Sequence, residues 1–396
     1  MPLDWSQARR YGAPHDPGAR RVLPMDWVPA QPGDPIKEVD TPALILDLDK
    51  FEANLKRMSD FTTRARVRMR PHAKTHKCAE IARRQIDAGA SGICCQKLGE
   101  AEAMLAGEIT DILITSQVVG ERKMRRLARL ARAYAPARLG VCVDHVDVAR
   151  QLAVVCQAEE ARVEVYVDLD IGQNRCGVET PEAAVELAQI LVTSPNLAFM
   201  GLHAYSGLAQ HRRGVPERRD AADRASARIA QVREALLAAN LPCEVVCGGG
   251  TGSFLYEAAG GVFNEIHPGS FAFMDINYSK NEPDPAGPRF DPSIFVLTSV
   301  SSVGEERATL DGGLKAFSTD SGPAQPTFAG WRVRSVSDEH TVLMRTEEGV
   351  AIKLGDKALL IPGHCGPTVN LHAWIVAVRK NTVEALWPID ARGAVY

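Results

Sequence analysis

From Ala43 onward the chain alternates short apolar runs with longer stretches in which apolar residues recur at helical spacing. The runs are ALILDLD (43–49), VRMRPHA (67–73), SGICCQ (91–96), DILITS (111–116), LGVCVD (139–144), VEVYVDLD (163–170), LAFMGLHAYS (197–206) and CEVVCG (243–248). Bounded by turn signals and rich in Val, Ile and Leu, they predict parallel strands buried on both faces. The intervening HKCAEIARRQIDAG, KLGEAEAMLAG and PEAAVELAQILVTS predict amphipathic helices. About eight strand-then-helix units over roughly 230 residues suit a (β/α)8 TIM barrel. A doubly wound sheet competes, because periodicity does not show closure.

After about Arg289 the pattern changes. FVLTSVSSV, RATLDGG, TVLMRTEEG, KALLIPG and WIVAVRKNTVEALWP read as strands with no long helix between them, which predicts a compact C-terminal β domain. The proline-rich NEPDPAGPRFDP (281–292) is the natural boundary. The expected division is an N-terminal arm over 1–40 that contributes to the β domain, an α/β barrel over 41–285, and a β domain over 286–396.

Composition narrows the functional classes. The 396 residues are 45% hydrophobic and 24% charged, an ordinary globular balance. With 46 basic against 49 acidic side chains there is no cationic excess of the kind that nucleic acid or an anionic membrane attracts. No apolar run approaches the roughly 18 to 20 residues that span a bilayer, and residues 1–40 lack a signal-peptide core. Nine cysteines without framework spacing read as reduced, buried thiols, which points to the cytoplasm.

Three stretches carry candidate chemistry. RPHAKTHK (70–77) sets Lys74 between two histidines just past a strand, at the barrel rim where catalytic groups collect. Arg70, His72, His76 and Lys77 are expected to lower its pKa by like charge, as a nucleophilic amine needs; a lysine that merely opens a helix is the plainer alternative. GGGTGS (248–253) follows a strand and precedes a helix, so its backbone N–H groups can converge on an anion, although a simple glycine turn would look the same. DLDIGQNRCGV (168–178) places Arg175 in a turn after a strand, either solvated or donating to an oxyanion.

Taken in order along the chain, these stretches resemble the fold-type III pyridoxal-phosphate enzymes, the alanine racemase-like group. Within that group the chain is similar to bacterial D-threonine aldolases and 3-hydroxy-D-aspartate aldolases. The likeness runs from VDTPALILDLDKFEANL (39–55) through RPHAKTHK, GICCQKLGEAEA, IGQNRCGV, GLHAYSG, GGGTGS, GSFAFMD, LDGGLK and SDEH to PGHCGPTVNLHAW and ARG (391–393). It implies pyridoxal 5'-phosphate as cofactor, with Lys74 as the Schiff-base lysine and Arg175 on the phenolic oxygen. Tyr205 would line the ring, and Gly249, Gly250 and Thr251 would hold the phosphate. His211 would be the base for the β-hydroxyl proton. The implied reaction is cleavage of the Cα–Cβ bond of a D-3-hydroxy amino acid to glycine and an aldehyde, in a homodimer whose β domains cap the partner's barrel.

The resemblance also implies a divalent metal (Mn, Mg or Zn) held by His364 and an aspartate, or in related dehydratases a cysteine, two positions later. Here that position is Gly366. Cys365 sits one residue early, and in an extended segment its thiol would face away from the imidazole. Gly313 and Ser206 also depart from the usual pattern. Three readings are open: an inactivating or engineered change in an ordinary aldolase, a metal held differently, or another reaction such as metal-free dehydration or racemisation on the same scaffold. A non-catalytic cofactor carrier is the alternative from outside the enzymes.

Overall fold

The computed structural model describes residues 28–346 and 351–396. The expected arm therefore lies outside the described residues as far as position 27. From Val28 the chain lies along the last strand of the β domain, with Gly33 N donating to Val383 O (2.8 Å) and Ile36 N to Asn381 O (2.9 Å).

Strand β1 (Ala43–Asp47) leads into α1 (Leu48–Ala65). The barrel strands come next: β2 (Arg68–Met69), β3 (Ile93–Cys95), β4 (Asp111–Gln117), β5 (Arg138–Val143), β6 (Val163–Leu169), β7 (Leu197–Ala204), β8 (Val245–Gly248) and β9 (Glu265–Ile266). They form one eight-stranded parallel sheet in the order β2-β9-β8-β7-β6-β5-β4-β3. A parallel bridge between His72 and Cys94 joins the two ends and closes the ring. Between the strands run α2 (Ala79–Asp87), α3 (Leu98–Ala106), α4 (Glu121–Ala133), α5 (Val146–Ala158), α6 (Pro181–Thr193), α7 (Gly207–Gln210), α8 (Val215–Ala238) and α9 (Phe254–Ala259). Their starts are written locally: Thr180 accepts from Ala183 N at 3.2 Å ahead of Pro181, which needs no N–H donor in the first turn.

The period of two along each strand sorts the core. On β6, Val163, Val165, Val167 and Leu169 pack outward against the helices, while Tyr166 points inward. The inward cluster is small: Cys94, Leu113, Cys142, Tyr166, Val245 and Cys247. The thiols fill a space that one tyrosine ring already crowds. Burying each larger aliphatic side chain contributes about 1.5–3 kcal/mol, so the outer layer carries most of the apolar stabilisation.

The barrel expectation holds, with one exchange of strands. ALILDLD has the composition of the barrel runs, but as β1 it pairs antiparallel with β10 (Ile294–Val303) and parallel with a late strand of the β domain. Ala43 and Ile45 pack on Phe295 and Leu297, whereas Leu44 and Leu46 join the cluster around α1. A strand buried on both faces looks the same in either sheet. The barrel's eighth place goes to β9, only two residues long and carrying a glutamate, which no apolar run announced.

Two short helical segments leave β9: a 3-10 turn (Ser270–Ala272) and α10 (Ile276–Ser279). After β10 come β11 (Arg307–Leu310), β12 (Gln325–Pro326), β13 (Trp331–Val336), β14 (Thr341–Arg345), β15 (Lys357–Ile361), α11 (Cys365–Val369), β16 (Trp374–Arg379) and β17 (Thr382–Pro388). With β1 they make a nine-stranded mixed sheet along β13-β14-β11-β10-β1-β16-β17, with β15 bridging β10 and β12. The β15-to-β16 connection does most to shape the barrel mouth, because it lays α11 against the turn that carries Lys74.

Candidate active site

The chain leaves β2 through His72 and tightens into a 3-10 turn over Ala73–Thr75. His72 shapes it: Nδ1 accepts from Lys74 N at 3.3 Å, and Nε2 meets Thr115 Oγ1 at 2.9 Å. Lys74 is thereby aimed inward at the barrel mouth. Its pKa is lowered, first by burial and then by the charge of Arg175. The sequence neighbours expected to do this are spoken for. Arg70 pairs with Glu265 and Asp111, and Lys77 is buried against Glu100. The cation that acts on Lys74 comes from a loop a hundred residues away in sequence.

Arg175 sits in the turn after β6. Asp170 builds that turn, its carboxylate accepting from the backbone N–H of Gly172 (2.8 Å), Gln173 (2.9 Å) and Asn174 (3.1 Å). Tyr205, just past β7, lies within reach of both Lys74 and Arg175. Its ring centroid is 5.3 Å from Lys74 Nζ and 5.5 Å from Arg175 Cζ. Beneath them, His203 Nδ1 meets Asp168 Oδ1 at 2.7 Å, and Gln117 Nε2 donates to the other carboxylate oxygen at 2.7 Å. The His203 and His267 rings stack at 5.7 Å. Burial pushes His72 well below its ordinary pKa, with Lys74, His267 and His203 adding to it, and burial likewise lowers His267 to about 4. Cys247, Glu265 and His267 bring donor atoms within 4.8 Å of one another. Arg70 Nε already donates to Glu265 at 2.9 Å, which leaves that group no net appetite for a cation.

The GGGTGS stretch turns as the sequence suggested. Gly249 has φ +73°, and a side chain there would collide with Glu257 Oε2; one at Gly250 would meet Gln210. Thr251 Oγ1 accepts from Phe271 N at 3.0 Å and keeps its own proton free to donate. Glycine at 249 and 250 thus lets the loop backbone pack closely against Glu257 and Gln210, with the Thr251 hydroxyl beside them.

His211 follows α7 and is exposed, its ring 4.7 Å from that of Tyr278. Burial and then Arg213 lower its pKa, Asp275 opposes them, and His364 lowers it further, which places the two histidines within electrostatic reach. Arg213 is not free on a basic surface: it donates to Asn277 O (2.6 Å) and Asn281 Oδ1 (2.7 Å).

At His364 the structure corrects the expectation of an extended segment. His364 caps α11, and Thr368 Oγ1 donates back to its carbonyl at 2.8 Å. Cys365 is fully buried, its N–H donating to Asp275 Oδ2 at 3.0 Å, so its thiol is withdrawn into the core by helix geometry. A Cβ built on Gly366 would lie 3.9 Å from Lys74 O and 4.0 Å from His364 Nε2, in ordinary contact with both. Position 366 therefore faces the right place and offers no ligand atom. His364 Nδ1 is taken by Asp320 Oδ2 at 2.8 Å. One imidazole nitrogen is a poor donor set for a divalent ion, which wants several ligands in fixed geometry. The residues present do not fit a tightly held metal.

His203, Asp168, His267 and Asp320 were missed by the motif reading. The first two lie inside quoted stretches, so alternation along β6 and β7 could have found them; Asp320 lies in a loop with no pattern around it.

A parallel barrel with its lysine turn after β2, a glycine-rich turn after β8 and a β domain pressed onto the mouth defines an alanine racemase-like protein. Residues 46–277 match the family model "Alanine racemase, N-terminal domain", and the chain belongs to that family. Residues 293–378 match a "Putative serine dehydratase domain". The chain is 44% identical to a D-threonine aldolase of an Arthrobacter species, over 92% of this chain and 96% of that one. It is 42% identical to a 3-hydroxy-D-aspartate aldolase of Paracoccus denitrificans, over 93% and 96%. The crystal structure of D-threonine aldolase from Filomicrobium marinum superposes with a TM-score of 0.90 at 44% identity, covering 93% of this chain and all of that one.

Proposed function

We propose that this protein is a pyridoxal-phosphate-dependent lyase that cleaves the Cα–Cβ bond of D-3-hydroxy amino acids, giving glycine and an aldehyde. The observation that carries the reading is the convergence of Lys74 Nζ and Arg175 Cζ on the Tyr205 ring, 5.3 Å and 5.5 Å from its centroid. Three groups suited to an aromatic aldehyde bearing an oxyanion meet there, and the glycine-rich loop would seat its phosphate.

Bound at this place, the cofactor would supply a conjugated ring that accepts the electron pair of the breaking bond. The chain's own residues do the rest. Lys74, its amine favoured in the neutral form by burial and Arg175, would hold the aldehyde carbon covalently. Arg175 would donate to the phenolic oxygen, and Gly249, Gly250 and Thr251 would seat the phosphate. His211, held below its ordinary pKa and so neutral near pH 7, would take the β-hydroxyl proton as the carbonyl of the aldehyde forms. The bond pair stays with Cα, which later gains a proton.

With glycine at 366 no step is assigned to a metal. His364 would act beside His211 on the hydroxyl side of the substrate. The absent ligand also keeps a second reading in play: dehydration or racemisation of a D-amino acid on the same cofactor. One experiment separates them. Purified protein loaded with pyridoxal phosphate is given D-threonine and D-3-hydroxyaspartate, with and without manganese, and the products are identified. Glycine and aldehyde support the lyase; keto acid with ammonia, or inversion alone, replaces it. Inertness toward every such substrate in a protein that holds the cofactor would favour a carrier. We further read the protein as a cytoplasmic homodimer, to be tested by its solution mass.

A further inference from the structure

Glu257, on α9, is a charged side chain with no part in the proposed reaction. It is 3% exposed. Its Oε1 accepts from Ser253 Oγ at 2.8 Å, while its Oε2 has no hydrogen-bond partner. The carboxyl occupies the space that a side chain on Gly249 would need, so it lies directly behind the glycine-rich loop. Ser253 Oγ accepts in turn from Gln210 Nε2 at 2.7 Å, and Gln210 Oε1 accepts from Gly252 N at 2.9 Å. The carboxyl, the loop and the residue immediately before His211 are thus one hydrogen-bonded unit.

Among the described residues no cation forms an ion pair with Glu257. Of the buried titratable groups on elements packed against α9, Arg218 of α8 is spent on the carbonyls of Arg212 (2.9 Å) and Arg213 (2.7 Å). Glu265 of β9 is paired with Arg70 and His267. Tyr205, beyond β7, has its phenol raised by burial, eased by Arg175, and raised again by Glu257 itself. Burial raises the Glu257 carboxyl to about 7, against the opposing hydrogen bond of Ser253. A dianion seated on the far side of Gly249 would add a like charge across a dry, thin wall, where such repulsion is strong.

We propose that Glu257 is a positioning residue for the phosphate loop, and that seating a phosphate dianion there draws one proton from solvent onto its carboxyl. This rests on the proposed use of pyridoxal phosphate. Neutral, the carboxyl supports Gly249 without repelling the guest; ionised, it sets a like charge against the guest across the loop.

The sign is set by linkage. Well below pH 7 Glu257 is protonated with or without ligand and uptake is zero; above about 7 the empty protein has lost the proton that the loaded one keeps. The probe is pyridoxine 5'-phosphate, which carries the phosphate but no aldehyde for Lys74. Its binding to the cofactor-free full chain is measured from about pH 6, where the phosphate's second proton leaves, to higher pH. Calorimetry in buffers of different ionisation heat counts the protons. Affinity should fall by up to about tenfold per pH unit above the break, with uptake approaching one proton. Glu257→Gln should bind as tightly as the wild type does at low pH and lose both the slope and the uptake. Ser253→Ala removes a bond that favours the ionised form and should move the break to higher pH. A flat wild-type profile, a slope retained in Glu257→Gln, or loss of binding in that variant at every pH overturns the proposal. If the wild type binds no probe at any pH, the cofactor reading falls with it.

Discussion

His364 and Asp320 form a hydrogen-bonded pair, Nδ1 to Oδ2 at 2.8 Å, across the edge of the site. Burial would raise the Asp320 carboxyl, but hydrogen bonds from Ser318 and His364 hold it below its ordinary pKa. A carboxylate that accepts from Nδ1–H fixes the tautomer in which Nε2 offers its lone pair toward position 366 and the Lys74 turn. Asp320→Asn should free the ring and lower kcat by about 10- to 100-fold with little change in cofactor content. Steady-state kinetics beside the cofactor absorbance of the same preparation check it; unchanged kcat removes Asp320 from the site.

Gly366→Asp should create the ligand that this chain lacks. The added Cβ meets nothing closer than 3.9 Å, and an aspartate in the first turn of α11 is favourable to that helix end. Manganese affinity, read by calorimetry, should rise by about 10- to 100-fold over the natural protein. The gain should vanish in Gly366→Asp combined with His364→Ala.

Lys74→Ala should abolish both the visible absorbance of the loaded protein and turnover, while the fold, read by circular dichroism, stays intact. Arg175→Ala should let the Lys74 pKa rise, since it removes the like charge second only to burial in lowering it. Covalent loading then shifts to higher pH, which a titration of the absorbance band would follow.

Gly249→Ala should weaken cofactor binding sharply. Its Cβ falls on Glu257 Oε2 and its φ of +73° strains any side chain, a cost of about 1–3 kcal/mol before the clash is counted. Equilibrium dialysis against pyridoxal phosphate reads it.

Acid stability should depend on Glu265. Burial alone would raise its pKa, yet the His267 hydrogen bond and the Arg70 charge outweigh burial and hold it well below the ordinary range. Its contribution is complete above the unfolded-state value near 4.5 and disappears as pH falls through the depressed folded value. Arg70→Met strands a carboxylate in the barrel and should cost about 3–5 kcal/mol at pH 7, with the loss shrinking in acid. Urea titrations at several pH values measure both.

What the sequence disclosed tracked physical range. Helix α6 was legible because Thr180 and Pro181 write its start and its apolar stripe its length, all within a few residues. The barrel class was legible from repeated doubly buried runs, but the sheet that β1 joins was not, since Leu44 and Ile45 are buried wherever they pair. Lys74, Arg175 and the glycine loop were visible as motifs. Their electrostatics were not: the charge that acts on Lys74 comes from Arg175, and Lys77, three residues away, is cancelled by Glu100. Asp320 and Glu257 work through single contacts with residues distant in the chain or hidden behind a loop, and no local pattern marks such a contact.

The pairing of β1 with β10 and β16 has a consequence for synthesis. Strand β1, the first among the described residues, has no strand partner among them until Ile294–Leu297 appear, and its second edge waits for Ile375–Val378. All eight barrel strands, by contrast, have emerged once Ile266 is made. The nascent chain can therefore finish its cylinder while one strand near its start is still single and the lysine turn still lacks α11. The final hundred residues both pair that strand and roof the site, so a ribosome that stalls late releases a chain with an open mouth and a bare, aggregation-prone ribbon.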